Sequence, residues 1–320
     1  MNFPRNNISR RLLLKAGMAG AGGLAMGGPL ARSNADAADK APGDGFVDAH
    51  SHIWTRDIKK FPLAQGQTLA DLDPPSFTDE ELLRTARAKG VDRVVLIQHG
   101  LYHGFDNSYC IDAARRCPGV FSIVARVDES RPDVAEQMRK LARQRVRGFR
   151  IRSWDRSGKW LDGPEMASMW KCGAERNLAI CPLMNPDALA NLDRMCAKYP
   201  DTPVVVDHLA RIGADGEIRQ QDVGGLCRLA RHKRTHVKVS AFYALGKKQP
   251  PYLDLAGLIR QVLDAFGPER LMWASDSPYQ VVKGHTYAAS IALVRDRLDF
   301  LSPDDRQWLL QKTAQRVFFA

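Results

Sequence analysis

The sequence predicts an α/β fold of the (β/α)8 type: a single-domain TIM barrel with an added C-terminal helix. Three observations predict it. Eight short apolar runs alternate with amphipathic segments, the pattern of parallel strands joined by helical crossovers. The stretch that carries them, residues 38–320, has the size of one such barrel. No Gly-x-Gly-x-x-Gly or P-loop follows an early run, which argues against a nucleotide-binding doubly wound sheet. Composition agrees: 44% hydrophobic and 26% charged residues exclude a disordered chain, and six cysteines in 320 residues exclude a disulfide scaffold.

In chain order the predicted strands are Phe46–His50, Arg93–Gln98, Val120–Val127, Arg147–Ile151, Leu178–Leu183, Pro203–Asp207, His236–Ser240 and Arg270–Ala274. Helical periodicity covers 78–89, 107–116, 132–144, 164–176, 186–198, 221–232, 253–266 and 286–299. Thr78 with Glu81 has the spacing of a capping box, and Ser302-Pro303 gives the last helix a cap and a proline at its first position. Two long connections, 54–77 and 241–252, follow strand ends at the rim where such barrels bind ligands.

Residues 1–37 read as a twin-arginine export signal. Arg10 and Arg11 precede an apolar run too rich in glycine for a stable membrane anchor, and Ala35-Asp36-Ala37 offers a small-x-small cleavage site. Cleavage there removes five basic residues and one acid, leaving 283 residues and a formal charge of +7 instead of +11. The expected partners are the export machinery and a small, anionic molecule; the expected location is the periplasm. The dispersed positive charge lacks the basic stripe with interleaved aromatics that nucleic-acid binding would need. There is no Cys-x-x-Cys pair, and Cys110 and Cys117 on one helix face would lie about 10 Å apart, too far to bridge.

The chemistry-bearing residues gather at predicted strand ends. Asp48-Ala49-His50-Ser51-His52-Ile53-Trp54 closes the first strand. His50 and His52, two apart, face one side of a strand and can share a divalent metal. Trp54, just beyond, is a candidate substrate contact. Asp276, in Ser275-Asp276-Ser277-Pro278 after the eighth strand, neighbours the first in a closed barrel and can ligate the metal or take a proton from its water. His208 ends the sixth strand and can polarise a carbonyl, ligate or move protons; Asp207 beside it is expected to point the other way and to be structural. Arg150 and Arg152 share a face of the fourth strand, where they hold a substrate carboxylate or form salt bridges. Lys238 and Ser240 share a face of the seventh; Lys238 binds an anionic or carbonyl oxygen or sits in an ion pair. His99 is a candidate for the mouth, and His103, in the loop beyond it, can reach substrate, whereas His232, His236 and His285 read as ordinary surface or loop residues. Cys181 on the fifth strand is either a soft ligand or a buried small residue.

Together, His-x-His on the first strand, Asp-His on the sixth, Lys-Val-Ser on the seventh and Ser-Asp-Ser-Pro on the eighth resemble the amidohydrolase superfamily. Nearest is its amidohydrolase-related branch of lactonases and metal-dependent decarboxylases. The resemblance covers residues 45 to 320 and includes Gln315-Arg316-Val317-Phe318, with Thr313 where Asn is usual. It implies His50 and His52 as the metal pair and matches Asp276, His208, Arg150, Lys238 and Ser240 to family positions; with the residues read above, the expected site has His50, His52 and Asp276 on the metal, Asp276, His208 and Lys238 as catalytic residues, and Arg150, Arg152, Ser240, His99 and Trp54 around the substrate. Two departures stand out: no lysine on the fourth strand for carboxylation, and Cys181-Pro182 where decarboxylases carry a histidine. The expectation is one divalent ion, zinc or manganese, weakly held or absent. The expected reaction is hydrolysis of a lactone or similar cyclic ester. Decarboxylation of a small aromatic acid is the alternative, and a non-catalytic binding barrel the third.

Overall fold

A computed structural model describes residues 45–152 and 159–320. The expected export signal, with Arg10, Arg11 and the Ala35–Ala37 cleavage site, lies outside the described residues. No helix among the described residues is long and apolar enough to cross a membrane.

Eight parallel strands run in sequence order. They are β1 Phe46–Ser51, β2 Val91–Ile97, β3 Phe121–Ala125, β4 Val146–Arg152, β5 Ala179–Leu183, β6 Val204–Val206, β7 Thr235–Val239 and β8 Leu271–Trp273. Beyond the end of β8 the barrel closes: Asp276 N donates to His50 O at 2.8 Å and His52 N to Ser277 O at 2.7 Å. The strands are almost wholly buried, as parallel strands covered by helices must be.

The main helices are α1 Asp79–Arg87, α2 Gly100–His103, α3 Ser108–Arg116, α4 Val134–Ala142, α5 Pro164–Arg176, α6 Leu189–Lys198, α7 Gln220–Arg228, α8 Ala256–Phe266, α9 Tyr287–Ala292, α10 Pro303–Gln307 and α11 Thr313–Phe318. All but α2, a single turn, correspond to helical periodicity or to the predicted final helix. Both anticipated caps form: Thr78 pairs reciprocally with Glu81, and Ser302 with Asp305.

Two cores result. The larger lies between barrel and helices. The smaller fills the lumen with side chains such as Val47, Ala49, Val95, Val124, Ala179, Cys181, Val205 and Met272, and α11 adds Ala314 and Phe318. The added C-terminal helix therefore plugs the barrel end opposite the strand C-termini, so polar chemistry is confined to the other end. All six cysteines are free, as their spacing suggests.

Candidate active site

Strand alternation sets which side chains reach the mouth. On β6 the lumen residue is Val205, so the next inward position is Asp207. This corrects the expectation that Asp207 points away. His208 faces the site for a different reason. After β6 the chain makes a left-handed turn in which His208, Leu209, Ala210 and Arg211 all have φ between 51° and 58°. Left-handed backbone costs a non-glycine residue roughly 1–2 kcal/mol. The turn brings His208 beside Asp207 and points Arg211 at the cavity. On β1, Val47 and Ala49 face the lumen, but the register shifts between Asp48 and Ser51. The shift turns His50 and His52 inward. Asp48 is left behind the strand, accepting bonds from His50 N, Ser275 N and the hydroxyls of Ser51, Ser275 and Tyr287.

His50, His52 and Asp276 converge. Asp276 Oδ1 lies 3.5 Å from His50 Nε2 and 3.4 Å from His52 Nε2, and Asp276 Oδ2 lies 3.7 Å from His208 Nε2. His52 Nδ1 donates to Ile97 O at 2.8 Å, which leaves the Nε2 lone pair facing Asp276. Asp276 Oδ1 is buried yet has no hydrogen-bond partner among the described residues, while Oδ2 accepts from the Tyr243 hydroxyl at 2.7 Å. Burial alone would raise the Asp276 pKa, but His208, His52 and His50 outweigh it and hold the carboxyl well below its ordinary range. One orphaned carboxylate oxygen between two imidazole nitrogens, with all three ligand atoms within 4.8 Å of one another, fits a single divalent cation.

Beneath this centre lies a buried ion cluster. Asp207 Oδ1 is 3.0 Å from Lys238 Nζ and 3.3 Å from His50 Nδ1; Asp207 Oδ2 accepts from Arg150 Nη2 at 3.0 Å and Nε at 3.2 Å. Desolvation pushes the Asp207 pKa up, but Lys238 and Arg150 overcome it and leave the group ionised. Lys238 is fully buried and also contacts His50 Nδ1 at 3.2 Å. It therefore supports His50 and Asp207, and it is absent from the described cavity wall. Arg150 Nη2 additionally reaches Nε2 of His50 at 3.3 Å and of His208 at 3.4 Å. A guanidinium only donates, so both nitrogens accept there. Burial keeps His50 well below its usual pKa and His208 down to about 4, so both imidazoles are neutral near pH 7.

The centre opens into a cavity of about 390 Å³, lined among others by His52, His99, His208, Asp276, Arg126, Arg150, Arg152, Arg211, Tyr243 and Tyr279. The 241–245 segment supplies wall residues; the 54–77 connection supplies none, and instead packs on α2 through Ala64 N and Tyr102 O at 2.7 Å. His99 takes its expected place at the mouth, its Nε2 2.6 Å from the Tyr279 hydroxyl. Ser240 is fully buried and braces His208 Nδ1 at 2.8 Å, one step back from the cavity. Trp54 is wholly buried: its indole donates to Pro74 O at 2.8 Å and its rings pack on His99 and Tyr102, so it backs the wall and does not face substrate. Cys181 sits in the lumen core, where burial pushes its thiol up to about 12 and removes it as a ligand. Asp207, Arg126, Arg211, Tyr243 and Tyr279 were not singled out as site residues from the sequence. The inward alternation of β3 and β6 could have revealed Arg126 and Asp207. Nothing local marks the others.

The sequence pattern of the amidohydrolase family matches residues 47–320. The chain belongs to the amidohydrolase family. This amidohydrolase is 32% identical over 269 residues to an L-fucono-1,5-lactonase of Burkholderia ambifaria, covering 81% of this chain and 90% of the relative. It is 26% identical over 239 residues to a 4-sulfomuconolactone hydrolase of Hydrogenophaga intermedia, 73% of this chain and 75% of that one. Among solved structures, a zinc-bound amidohydrolase from Burkholderia multivorans superposes with a TM-score of 0.73 at 20% identity, over 86% of this chain and 99% of that one. The protein is thus a hydrolase of the amidohydrolase superfamily.

Proposed function

We propose that this amidohydrolase opens a lactone, or a similar cyclic ester, of a small carboxylated or sugar-acid compound by directing water at its carbonyl. The observation that carries the reading is Asp276 Oδ1: ionised, buried, unpartnered and aimed between His50 and His52 at the floor of the cavity. Such an oxygen is placed to take a proton from an attacking water. The lactonase relatives support the substrate class.

His50, His52 and Asp276 would hold the cation. When bound, a divalent ion polarises a carbonyl and makes its water more acidic. Arg150 competes with it for the His50 Nε2 lone pair, which favours weak binding. The remaining steps belong to the protein. Asp276 accepts the water proton. Arg150, fixed by Asp207 through Nε and Nη2, has Nη1 uncommitted among the described residues and presents charge to a developing oxyanion. Tyr243, hydrogen-bonded to Asp276 Oδ2, can return a proton to the alkoxide released on ring opening. Decarboxylation is disfavoured, because the fifth-strand position that would carry a histidine ligand is Cys181, a buried thiol.

The test is a lactone panel assayed by pH-stat titration, with the metal content of the same preparation measured beside a His50→Ala control. Ring opening by wild type with about one equivalent of zinc or manganese, lost in the control, is the expected result. Carbon dioxide release from aromatic acids without lactone turnover would overturn it. Export through the twin-arginine route is part of the same reading and rests on Arg10 and Arg11. Replacing both by lysine should retain the protein in the cytoplasm, and the exported form should begin near Ala38.

A further inference from the structure

Directly after β3, Arg126 is 93% buried yet has no ion-pair partner among the described residues. Its Nε makes no hydrogen bond, and among the described residues no carboxylate stands within ion-pair distance of it. Alternation on β3 puts Val124 in the lumen and Arg126 above it, in the cavity wall beside Arg150, Arg152 and Arg211. Two features hold it there. Its backbone is clamped by Asn107, whose Oδ1 accepts from Arg126 N and whose Nδ2 donates to Arg126 O, both at 2.9 Å. Its side chain fills a slot that exists because residue 100 is glycine: a Cβ at Gly100 would collide with Nη1. The Phe105 ring lies 5.0 Å from the guanidinium carbon.

An unpaired buried cation is costly unless a ligand compensates it. Asp128 and Glu129 follow in sequence and attract Arg126 from a distance, but Asp128 is bound to Ser130 and neither comes within ion-pair distance. Asp276, the carboxylate lining the cavity, is already engaged by Tyr243 and faced by three imidazoles. Among the described residues nothing sits close enough to pair with it, which leaves the ligand to bring the counter-charge. We infer that Arg126 is the receptor for an anionic substituent, a carboxylate or sulfonate, and that it selects charged lactones over neutral ones.

This rests on the lactonase reading, so the experiment has two arms. In the first, wild type and Arg126→Gln are assayed on muconolactone, which bears a carboxylate, and on a neutral aldono-1,5-lactone. Charge-assisted hydrogen bonds are worth roughly 10- to 100-fold. The variant should raise KM for muconolactone by about that factor with little change in kcat, and its loss should exceed the loss on the neutral lactone at least about tenfold. Equal losses on both substrates, an unaltered muconolactone KM, or wild-type turnover of neutral lactone alone would overturn the inference. The second arm is calorimetric binding of isophthalate, a planar dicarboxylate that cannot be hydrolysed. If neither lactone turns over, the lactonase reading fails, and isophthalate still decides Arg126: wild type should bind and Arg126→Gln bind at least about tenfold more weakly. No binding by wild type would overturn the inference. Because no carboxylate among the described residues pairs with Arg126, Arg126→Gln should not lower the thermal midpoint; a lowered midpoint would mark a structural role and also overturn it. Gly100→Ala, which displaces the guanidinium without removing charge, should raise the muconolactone KM in the same direction.

Discussion

Replacing Asp207 by asparagine isolates the charge at the heart of the site. The side chain keeps its shape, but one carboxylate now faces two buried cations as a neutral amide. Lys238 is fully buried and Arg150 is 8% exposed, so water cannot take over the compensation. Both contacts are short, Lys238 Nζ at 3.0 Å and Arg150 Nη2 at 3.0 Å, and the new NH2 group would face one of these donors. Breaking one member of a buried ionic cluster costs about 3–5 kcal/mol, because it strands the remaining charge. For a domain of this size that corresponds to a fall in thermal midpoint of roughly 6–20 °C. The assay is circular dichroism melting of Asp207→Asn, Lys238→Met and the double variant. The double variant should recover about 2 kcal/mol or more relative to the sum of the singles, since the cation stranded by the first change is removed by the second. A pH series adds the sign. The folded Asp207 pKa lies below its ordinary value, so its contribution is complete above about pH 4 and is lost as pH falls through the folded value. Wild type should lose that part of its stability in acid, and Asp207→Asn should not. A single variant within about 1 kcal/mol of wild type, or strict additivity, would refute this account of the cluster.

Other consequences are equally direct. Asp276→Asn should lower kcat about 100-fold or more with an unaltered circular dichroism spectrum, and unimpaired turnover would remove Asp276 from the chemistry. His236 is not the surface or loop residue its sequence context suggests: it lies buried on β7 toward the plugged end of the barrel, and burial holds its pKa at about 4. It is protonated more readily in the unfolded chain, so stability should decline as pH drops from about 6.5 to about 4, by up to about 3 kcal/mol. His236→Gln should flatten that slope in urea titrations. Phe318→Ala would empty the lumen plug beneath Lys238 and cost about 3–5 kcal/mol, read from the same titrations.

What the sequence determined by itself is periodic or local. Eight apolar runs at barrel spacing specified the architecture, because strands buried on both faces leave little freedom in composition. Thr78–Glu81 and Ser302-Pro303 specified helix starts within one turn. His50 and His52 were legible because a spacing of two keeps side chains on one face, and Asp276 because closing the ring sets strand eight beside strand one. Tertiary structure decided the rest. Asp207 and His208 enter one site only because a left-handed turn overrides alternation after β6, and no periodic signal announces four such residues. Lys238 and Trp54 lie behind the cavity wall because depth in a barrel depends on register and on neighbouring side chains, which a single strand does not encode. That Arg126 has no ion-pair partner among the described residues is a property of every element around it. A charge is legible in a sequence, but whether another charge comes within 4 Å is settled only when the chain has folded.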